Sequence, residues 1–150
     1  MRIDLTKQKW KLSGWRPNYW HQRRSIDNTD HWQPDIPSMP ATVPGSAQTA
    51  LRKAGWLPDW HVGLNSLQCE WVEHRQWEFR TALPAMKPVI GERVTLCCDG
   101  LDYSGWIAID AKIIGEFRGT LLRHRFDLTD HVADGRPHVL SILFDQPPAE

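Results

Sequence analysis

The 150-residue sequence predicts an all-β sandwich with one short helix. Three observations lead to this prediction: short hydrophobic runs with a period of two, frequent proline and glycine between those runs, and a single strong helix signal. A chain of this length fits one domain and can bury about 70% of the surface that its unfolded form exposes. The sequence therefore needs neither a metal nor a disulfide framework to form a core.

The clearest strand signal lies between Gln76 and Leu83. Here Trp77 and Phe79 alternate with Glu78 and Arg80, so the two pairs face opposite sides of a strand. This pattern predicts a half-buried antiparallel strand in which Glu78 is a charge at the strand edge and Arg80 pairs with a carboxylate. Further strands are predicted near residues 10–12, 93–98, 105–109, 113–115, 125–128 and 138–144.

One short helix is predicted over residues 46–54. Ser46 can cap its first turn through the side-chain hydroxyl, and Arg52 and Lys53 suit the negative end of the helix dipole. Gly55 can adopt the left-handed conformation that ends a helix. The stretches 16–40 and 56–70 are predicted as loops, because proline, asparagine and aspartate are frequent there.

The composition excludes several classes of partner. Lys plus Arg and Asp plus Glu both total 18, which argues against nucleic acid and against an anionic membrane surface. No apolar run is long enough for a membrane span, and none follows the first charged residues as in a secretory signal. An odd number of cysteines, three, argues against a secreted disulfide scaffold. Cys97 and Cys98 are therefore predicted to be packing residues in the cytoplasm.

An ordered set of short motifs covers the chain from about Trp10 to Phe144. Together, in order and spacing, these motifs resemble the N-terminal region of β-mannosidases of glycoside hydrolase family 2. They are residues 39–46 (MPATVPGS), 54–59 (AGWLPD), 63–65 (GLN), 70–73 (EWVE), 77–80 (WEFR), 99–102 (DGLD), the hairpin 109–115 and residues 125–129 (RFDLT).

The resemblance implies a jelly-roll sandwich of the galactose-binding-like type, followed in the family by an immunoglobulin-like domain and a catalytic TIM barrel. A barrel takes typically ~250 residues, so we expect residues 1–150 to be a single N-terminal domain without the barrel. In the family a Gly-Trp-Asp-Trp-Gly stretch precedes the last strand of this domain. The chain ends before any such stretch, so we expect it to be truncated before its final strand.

The resemblance also implies a role: an accessory sugar-binding domain that forms one wall of a pocket for hydrolysis of terminal β-linked sugars. Its expected partners are carbohydrate and the downstream domains. The segment 56–71 supplies flat indole surfaces and directional polar groups, which suit the apolar face and the hydroxyls of a sugar. Asn65 and Trp60 are the main candidates for sugar contact, with Glu70 and Trp71. The alternative is that Trp56 and Trp71 belong to the core and that Asn65 ties the loop to its own backbone.

No catalytic, metal or cofactor site is predicted in this chain. Retaining glycosidases need two carboxyl groups about 5–5.5 Å apart, and the family's own pair lies in the barrel. The carboxylates here are read as strand-edge or loop charges. The seven histidines lack zinc-site spacing, and no glycine-rich phosphate loop is present. Trp106, inside an apolar strand, is expected to belong to the core.

Two departures from the family pattern concern the hairpin 109–115 and the segment after it. The usual Asn-Gly turn is Asp110-Ala111, and alanine tolerates positive φ poorly, so a type I′ turn is not expected. The segment after Gly115 lacks an Asn-Met pair, which weakens the case for mannose. Two other functions stay open: a stand-alone carbohydrate-binding module with exposed tryptophans, and a structural domain that self-associates through the surface that faces the barrel in the family.

Overall fold

The computed structural model describes residues 1–19 and 34–148, which form two antiparallel β-sheets with short helices. The helices are α1 (Ala47–Lys53) and the single turn α2 (Thr129–Val132), and 3-10 helices lie at Leu5–Lys7 and Asn65–His74. The predicted all-β sandwich with a short helix near residues 46–54 is confirmed. The strands are β1 (Trp10–Trp15), β2 (Ile36–Ala41), β3 (Gln76–Leu83), β4 (Thr95–Cys98), β5 (Ser104–Ile109), β6 (Lys112–Arg118), β7 (His124–Asp127) and β8 (His138–Phe144).

Six of these strands form the larger sheet, in the order β2-β1-β3-β8-β5-β6. The register of its central pairs places Trp15 opposite Gln76 and Trp77 opposite Phe144. The end of β1, the start of β3 and the end of β8 therefore meet at one end of the sheet. The smaller sheet pairs β4 with β7.

The main core lies between the two sheets. Leu12, Ile107 and Leu140 of the larger sheet are completely buried, and they belong to one cluster with Leu96 of β4 and Leu51 of α1. The alternation of side chains along each strand places these residues on a single face of the larger sheet. This face is hydrophobic, as the period of two predicts.

Two buried tryptophans, Trp10 and Trp77, donate their indole N–H groups to backbone carbonyls. Trp10 Nε1 donates to the Leu5 carbonyl at 2.8 Å, and Trp77 Nε1 donates to the Val72 carbonyl at 2.8 Å. Both carbonyls lie in 3-10 helices that immediately precede the tryptophan's strand. An indole can be buried without penalty only when its N–H has a hydrogen-bond acceptor. The two 3-10 helices therefore stabilise the core by supplying these acceptors.

Helix α1 begins and ends as the sequence predicts. Ser46 Oγ accepts a hydrogen bond from the Thr49 amide at 3.2 Å, and Arg52 and Lys53 occupy the last turn. Gly55 follows with φ of 81°. Capping residues at both ends explain why so short a helix is stable in this position.

Two stretches predicted as loops contain regular structure. Residues 65–74 form a 3-10 helix, and β2 occupies 36–41 in spite of Pro37 and Pro40. Strand β2 lies at the edge of the larger sheet. Proline is tolerated in an edge strand, because its nitrogen can face away from the neighbouring strand, where no N–H is needed for pairing. The remaining part of the first predicted loop, residues 20–33, lies outside the described residues.

The expectation about the β5–β6 turn is wrong. Asp110 and Ala111 have φ of 47° and 67°, and the pairing of Ile109 with Lys112 leaves a two-residue turn, as in type I′. The turn is held by contacts from β8: Asp110 Oδ1 accepts from the Val139 amide at 2.8 Å, and Asp110 Oδ2 lies 2.6 Å from His138 Nδ1. These tertiary contacts compensate for the strain of an alanine in a left-handed conformation.

The second face of the larger sheet is also buried, and this overturns the prediction for Glu78. Its side chain is almost inaccessible, because a second cluster built on Trp15, Ala108 and Leu143 covers this face. Glu78 accepts hydrogen bonds from Trp15 Nε1 at 3.0 Å, Ser141 Oγ at 2.8 Å and Arg80 Nε at 2.8 Å. The expected pairing of Arg80 with a carboxylate is confirmed, and the carboxylate is Glu78.

Within residues 1–19 and 34–148, no helix is long and apolar enough to cross a membrane.

Candidate functional site

The sugar-contact candidates lie on the segment that connects α1 to β3, here called the Trp60 loop (residues 56–71). The loop ends in the 3-10 helix that leads directly into β3. The candidates therefore lie before the start of β3, the end of the larger sheet at which β8 finishes.

Trp60 is half-buried and carries a cation on its ring. The Arg52 guanidinium carbon lies 4.9 Å from the centroid of the indole, and Arg52 Nη2 forms an ion pair with Asp59 Oδ2 at 2.7 Å. The His61 ring lies 5.8 Å away, tilted by 52°. One indole face is thus occupied by a guanidinium, a favourable cation–π arrangement. Trp60 differs in this respect from a flat open platform of the kind that a stand-alone sugar-binding module needs.

Asn65 makes the loop-tying contact that the sequence offered as the alternative to sugar contact. Its Nδ2 donates to the Asp59 carbonyl at 3.0 Å, and its Oδ1 accepts from Gln68 Nε2 at 3.5 Å. The first contact bridges six residues and closes the loop around Trp60. The structure therefore brings Asn65 and Trp60 together through Asp59.

Glu70 and Trp71 have different environments. Glu70 is exposed, and its carboxylate forms no hydrogen bond or ion pair with the described residues. Trp71 is half-buried against the main core, with its ring 6.2 Å from that of Trp77. Glu70 is therefore open to a ligand or to another domain, whereas Trp71 mainly supports the strand behind it.

The Trp60 loop exposes several large apolar residues beside its polar ones. Trp56, which the sequence offered as a core residue, is 46% exposed. Three aliphatic residues of the same loop are also exposed, namely Val62, Leu64 and Leu67. Four exposed large apolar residues along one loop are more than a solvated loop needs, which favours a contact surface here.

Two residues that position this loop were missed by sequence reasoning, Arg52 and Asp59. Arg52 was interpreted only as a dipole partner at the end of α1, and Asp59 only as part of a family motif. Their spacing of seven residues gave no sign of the ion pair, because the pair forms only after the chain turns at Gly55.

A pocket lies at the edge of the larger sheet formed by β5 and β6, where Trp106 packs against the cluster of Trp15, Ala108 and Leu143. This β5–β6 pocket has a volume of about 450 Å³. Trp106, expected in the core, is half-buried and forms part of its wall. The other side chains that define the pocket are Tyr103, Glu116, Arg118, Asp145 and Gln146.

The two adjacent cysteines of β4 have different environments. Burial raises the pKa of the Cys98 thiol to about 11, so this thiol stays protonated at neutral pH. Cys98 packs against the core as predicted, but Cys97 is exposed, since the two point to opposite faces of β4. No three His, Cys, Asp or Glu side chains among the described residues converge on a metal position.

Comparison with known proteins agrees with the fold and with the motifs. A family model described as glycosyl hydrolase 2 galactose-binding domain-like matches residues 20–150. β-Mannosidase B of Aspergillus niger is 32% identical over 133 residues, which cover 89% of this chain and 15% of that protein. β-Mannosidase B of Aspergillus clavatus is 31% identical over 127 residues, or 84% of this chain and 14% of that protein.

Two solved structures share the fold. The β-D-mannosidase of Dictyoglomus thermophilum superposes on 93% of this chain and 15% of its own, with a TM-score of 0.71 and 24% identity. A β-galacturonidase of family 2 from Eisenbergiella tayi covers 98% of this chain and 19% of its own, with a TM-score of 0.59 and 13% identity. The chain thus spans about 15% of the length of the first curated relative.

Proposed function

Because the chain belongs to the galactose-binding-like domains of glycosyl hydrolase 2, we propose that it is the N-terminal accessory domain of a β-mannosidase-like, retaining glycoside hydrolase. The similarity to β-mannosidase B over 89% of the chain is the observation that carries this proposal. In this role the domain forms one wall of a pocket in which terminal β-linked sugars are hydrolysed. The catalytic carboxylates belong to a downstream TIM barrel, which an immunoglobulin-like domain separates from this one.

The wall is the Trp60 loop. Arg52 and Asp59 hold Trp60 in place, and Asn65 closes the loop from the other side. Glu70 offers an exposed carboxylate that can accept hydrogen bonds from sugar hydroxyls or from the barrel. The exposed apolar residues of the loop would be covered when the barrel packs against it, which removes their contact with water.

A hybrid enzyme tests the proposal. Residues 10–144 of this chain replace the matched segment of Aspergillus niger β-mannosidase B, and hydrolysis of an aryl β-mannoside is measured. We expect the hybrid to be active, and Asn65→Ala in the hybrid to lower kcat/KM by about tenfold, because the hydrogen bond from Asn65 to the Asp59 carbonyl holds the Trp60 loop in shape. Glu73→Gln, a neighbouring exposed carboxylate, is the matched control and should change nothing. A hybrid that unfolds cooperatively but is inactive would contradict the proposal.

Titration of the isolated chain separates this role from that of a stand-alone binding module. One wall lacks the enclosure that ligand pockets need, so mannose and manno-oligosaccharides should bind in the millimolar range or more weakly. Micromolar binding by the isolated chain would contradict the proposal that it forms only one wall of a sugar pocket. A stand-alone module instead predicts tryptophan quenching by glycan that Trp60→Ala abolishes.

The exposed apolar residues of the Trp60 loop favour one further candidate, a structural domain that self-associates. Trp56, Val62, Leu64 and Leu67 would then meet the same surface of a second copy. Light scattering over a concentration series tests this. A chain that stays monomeric at high concentration would contradict self-association. Packing against the barrel would then be the remaining explanation for the exposed apolar residues of the Trp60 loop.

We also propose that a longer protein completes the smaller sheet with a strand that follows this chain, which would make residues 1–150 a single domain that lacks its final strand. Among the described residues β4 and β7 pair only with each other, so the sheet has two open edges. The compartment we propose is the cytoplasm. The cysteines Cys69, Cys97 and Cys98 are free thiols, as a reducing compartment keeps them.

A further inference from the structure

The β5–β6 pocket has a size and a lining that the wall function does not use. Its volume of about 450 Å³ falls within the range of small-molecule sites. It opens at the edge strand β6, and Ser104 and Arg118 are paired across β5 and β6 at its rim. The Trp60 loop contributes no residue to this lining.

The polar groups of the pocket include both donors and acceptors. Arg118 lies with its guanidinium carbon 5.8 Å from the Tyr103 ring centroid and forms no ion pair with the described residues. Glu116, two residues before it on the same face of β6, is exposed and likewise forms no ion pair with the part of the chain that is described. The Arg118 side chain is hydrogen-bonded to Tyr103, but a guanidinium has five N–H donors, so other donors of Arg118 and the Glu116 carboxylate remain for a ligand.

The third charged group of the pocket is fixed in place. Asp145 Oδ1 accepts hydrogen bonds from Gln76 Nε2 at 2.7 Å and from the Gln146 amide at 2.8 Å. The Asp145 amide donates to the Ser104 carbonyl at 2.8 Å. Both hydrogen bonds to the Asp145 side chain end on Oδ1, and they hold the carboxylate in place. Asp145 Oδ2 can therefore accept a hydrogen bond from a ligand.

We propose that the β5–β6 pocket binds one neutral pyranose ring of a saccharide and discriminates against uronic acids. A sugar hydroxyl both donates and accepts, so it matches a site with one guanidinium and two carboxylates. Tyr103 and Trp106 add aromatic surface to the lining, and the Arg118 guanidinium lies over the Tyr103 ring. The two carboxylates outnumber the guanidinium, so an anionic ligand meets net repulsion. The lining of this site shares no residue with the Trp60 loop.

The experiment is an amide and indole NMR titration of the 150-residue chain with methyl β-mannopyranoside, methyl β-glucopyranoside and methyl β-glucuronide. We expect millimolar binding of the neutral glycosides, with shift changes at Ser104, Trp106 and Gln146, and several-fold weaker binding of the glucuronide. Glu116→Gln and Arg118→Met should each raise the Kd of the neutral glycosides by about tenfold, because each variant loses a hydrogen bond to a charged group. Both positions are exposed, so the variants should fold, which cooperative thermal unfolding checks.

The matched controls are Glu73→Gln and Arg123→Met, two exposed residues outside the pocket that should leave binding unchanged. Absence of shift changes into the tens-of-millimolar range overturns the proposal, and so does binding of the glucuronide as tightly as the glucoside. Shift changes confined to the Trp60 loop would also overturn sugar binding in the β5–β6 pocket. They would instead support the proposal that the Trp60 loop forms one wall of the enzyme's pocket. The activity of the hybrid enzyme decides the wall function independently, so the two proposals can fail separately.

Discussion

The two faces of the larger sheet are both buried, but they are built on different principles. The face toward the smaller sheet carries Leu12, Ile107 and Leu140, which need only be apolar and complementary in shape. The other face carries Glu78, Gln76 and Ser141, each at most 1% exposed. These residues require specific partners, because a buried polar group without a hydrogen bond is costly. The first face should therefore respond to changes of volume, and the second to changes of hydrogen-bonding pattern.

The largest expected effect is on the apolar face. Leu140→Ala should lower the free energy of unfolding by about 3 kcal/mol, because Leu140 is fully buried and the surrounding sheet pairs cannot close the cavity. Chemical denaturation of the variant measures this. Val139→Ala, at a neighbouring position that is 39% exposed, is the control and should cost much less. Equal losses for the two variants would contradict the assignment of faces.

On the polar face, an isosteric change is the sharper test. Glu78→Gln keeps the volume but places an amide N–H₂ opposite one of three donors, Trp15 Nε1, Ser141 Oγ and Arg80 Nε. We expect a loss of about 2 kcal/mol in the free energy of unfolding, the cost of leaving a buried donor unpaired. The same change at exposed Glu73 should have no effect. If Glu78→Gln were neutral, volume would control this face as well.

The contact between the β5–β6 turn and β8 adds a pH dependence. His138 Nδ1 lies 2.6 Å from Asp110 Oδ2, and His138 Nε2 lies 2.8 Å from Asp134 Oδ1; Arg136 in turn pairs with Asp134. The hydrogen bond to Asp110, and then that to Asp134, raises the pKa of His138 above 6.5, although its burial opposes the shift.

A folded-state pKa above the unfolded value means that protonation stabilises the fold. The contribution is fully present below pH 6.5 and is lost as the pH rises through the folded pKa. His138→Gln should lower the free energy of unfolding by about 1–2 kcal/mol at the acidic side of this window, because the variant lacks the hydrogen bonds of the charged imidazole. The loss should be smaller at higher pH. Thermal melts across the window check this. His61→Gln, an exposed histidine, is the control, and a parallel pH profile for His138→Gln and the wild type would contradict the role of His138.

The smallest effect concerns the turn itself, and it is a gain. Ala111 adopts φ of 67°, which glycine tolerates without steric cost. Ala111→Gly should therefore raise the free energy of unfolding by about 0.5 kcal/mol, after the greater flexibility of glycine in the unfolded chain is subtracted. Ala133→Gly, at an ordinary helical φ of −73°, is the control and should destabilise. A loss of stability for Ala111→Gly would contradict the turn geometry.

The sequence predicted features that depend on neighbours along the chain. The alternation in Gln76–Leu83 predicted β3 and which side chains share a face, and Ser46 and Gly55 predicted the ends of α1. Whether the second face of β3 is covered depends on other strands, so the burial of Glu78 was missed. The turn at Ala111 was missed for the same reason, because His138 and Val139, which hold it, are more than 25 residues away.

The candidate site was less predictable than the fold. The sequence alone does not separate core tryptophans from surface ones. The core alternative for Trp56 is wrong, since this residue is 46% exposed, whereas Trp71 and Trp106 are half-buried and each packs against a core cluster. The composition of residues 56–70 predicted the loop that carries Trp60, but not the 3-10 helix that begins at Asn65.

The ties within the Trp60 loop have a consequence for association. Arg52 on the indole of Trp60 and Asn65 on the Asp59 carbonyl fix the loop's shape before any partner arrives. A surface that is ordered in advance gives up little conformational entropy on binding, so more of the free energy of contact is retained as affinity. Docking of a second domain should accordingly proceed almost as a rigid-body event, with the loop's backbone unchanged between the free and the assembled protein.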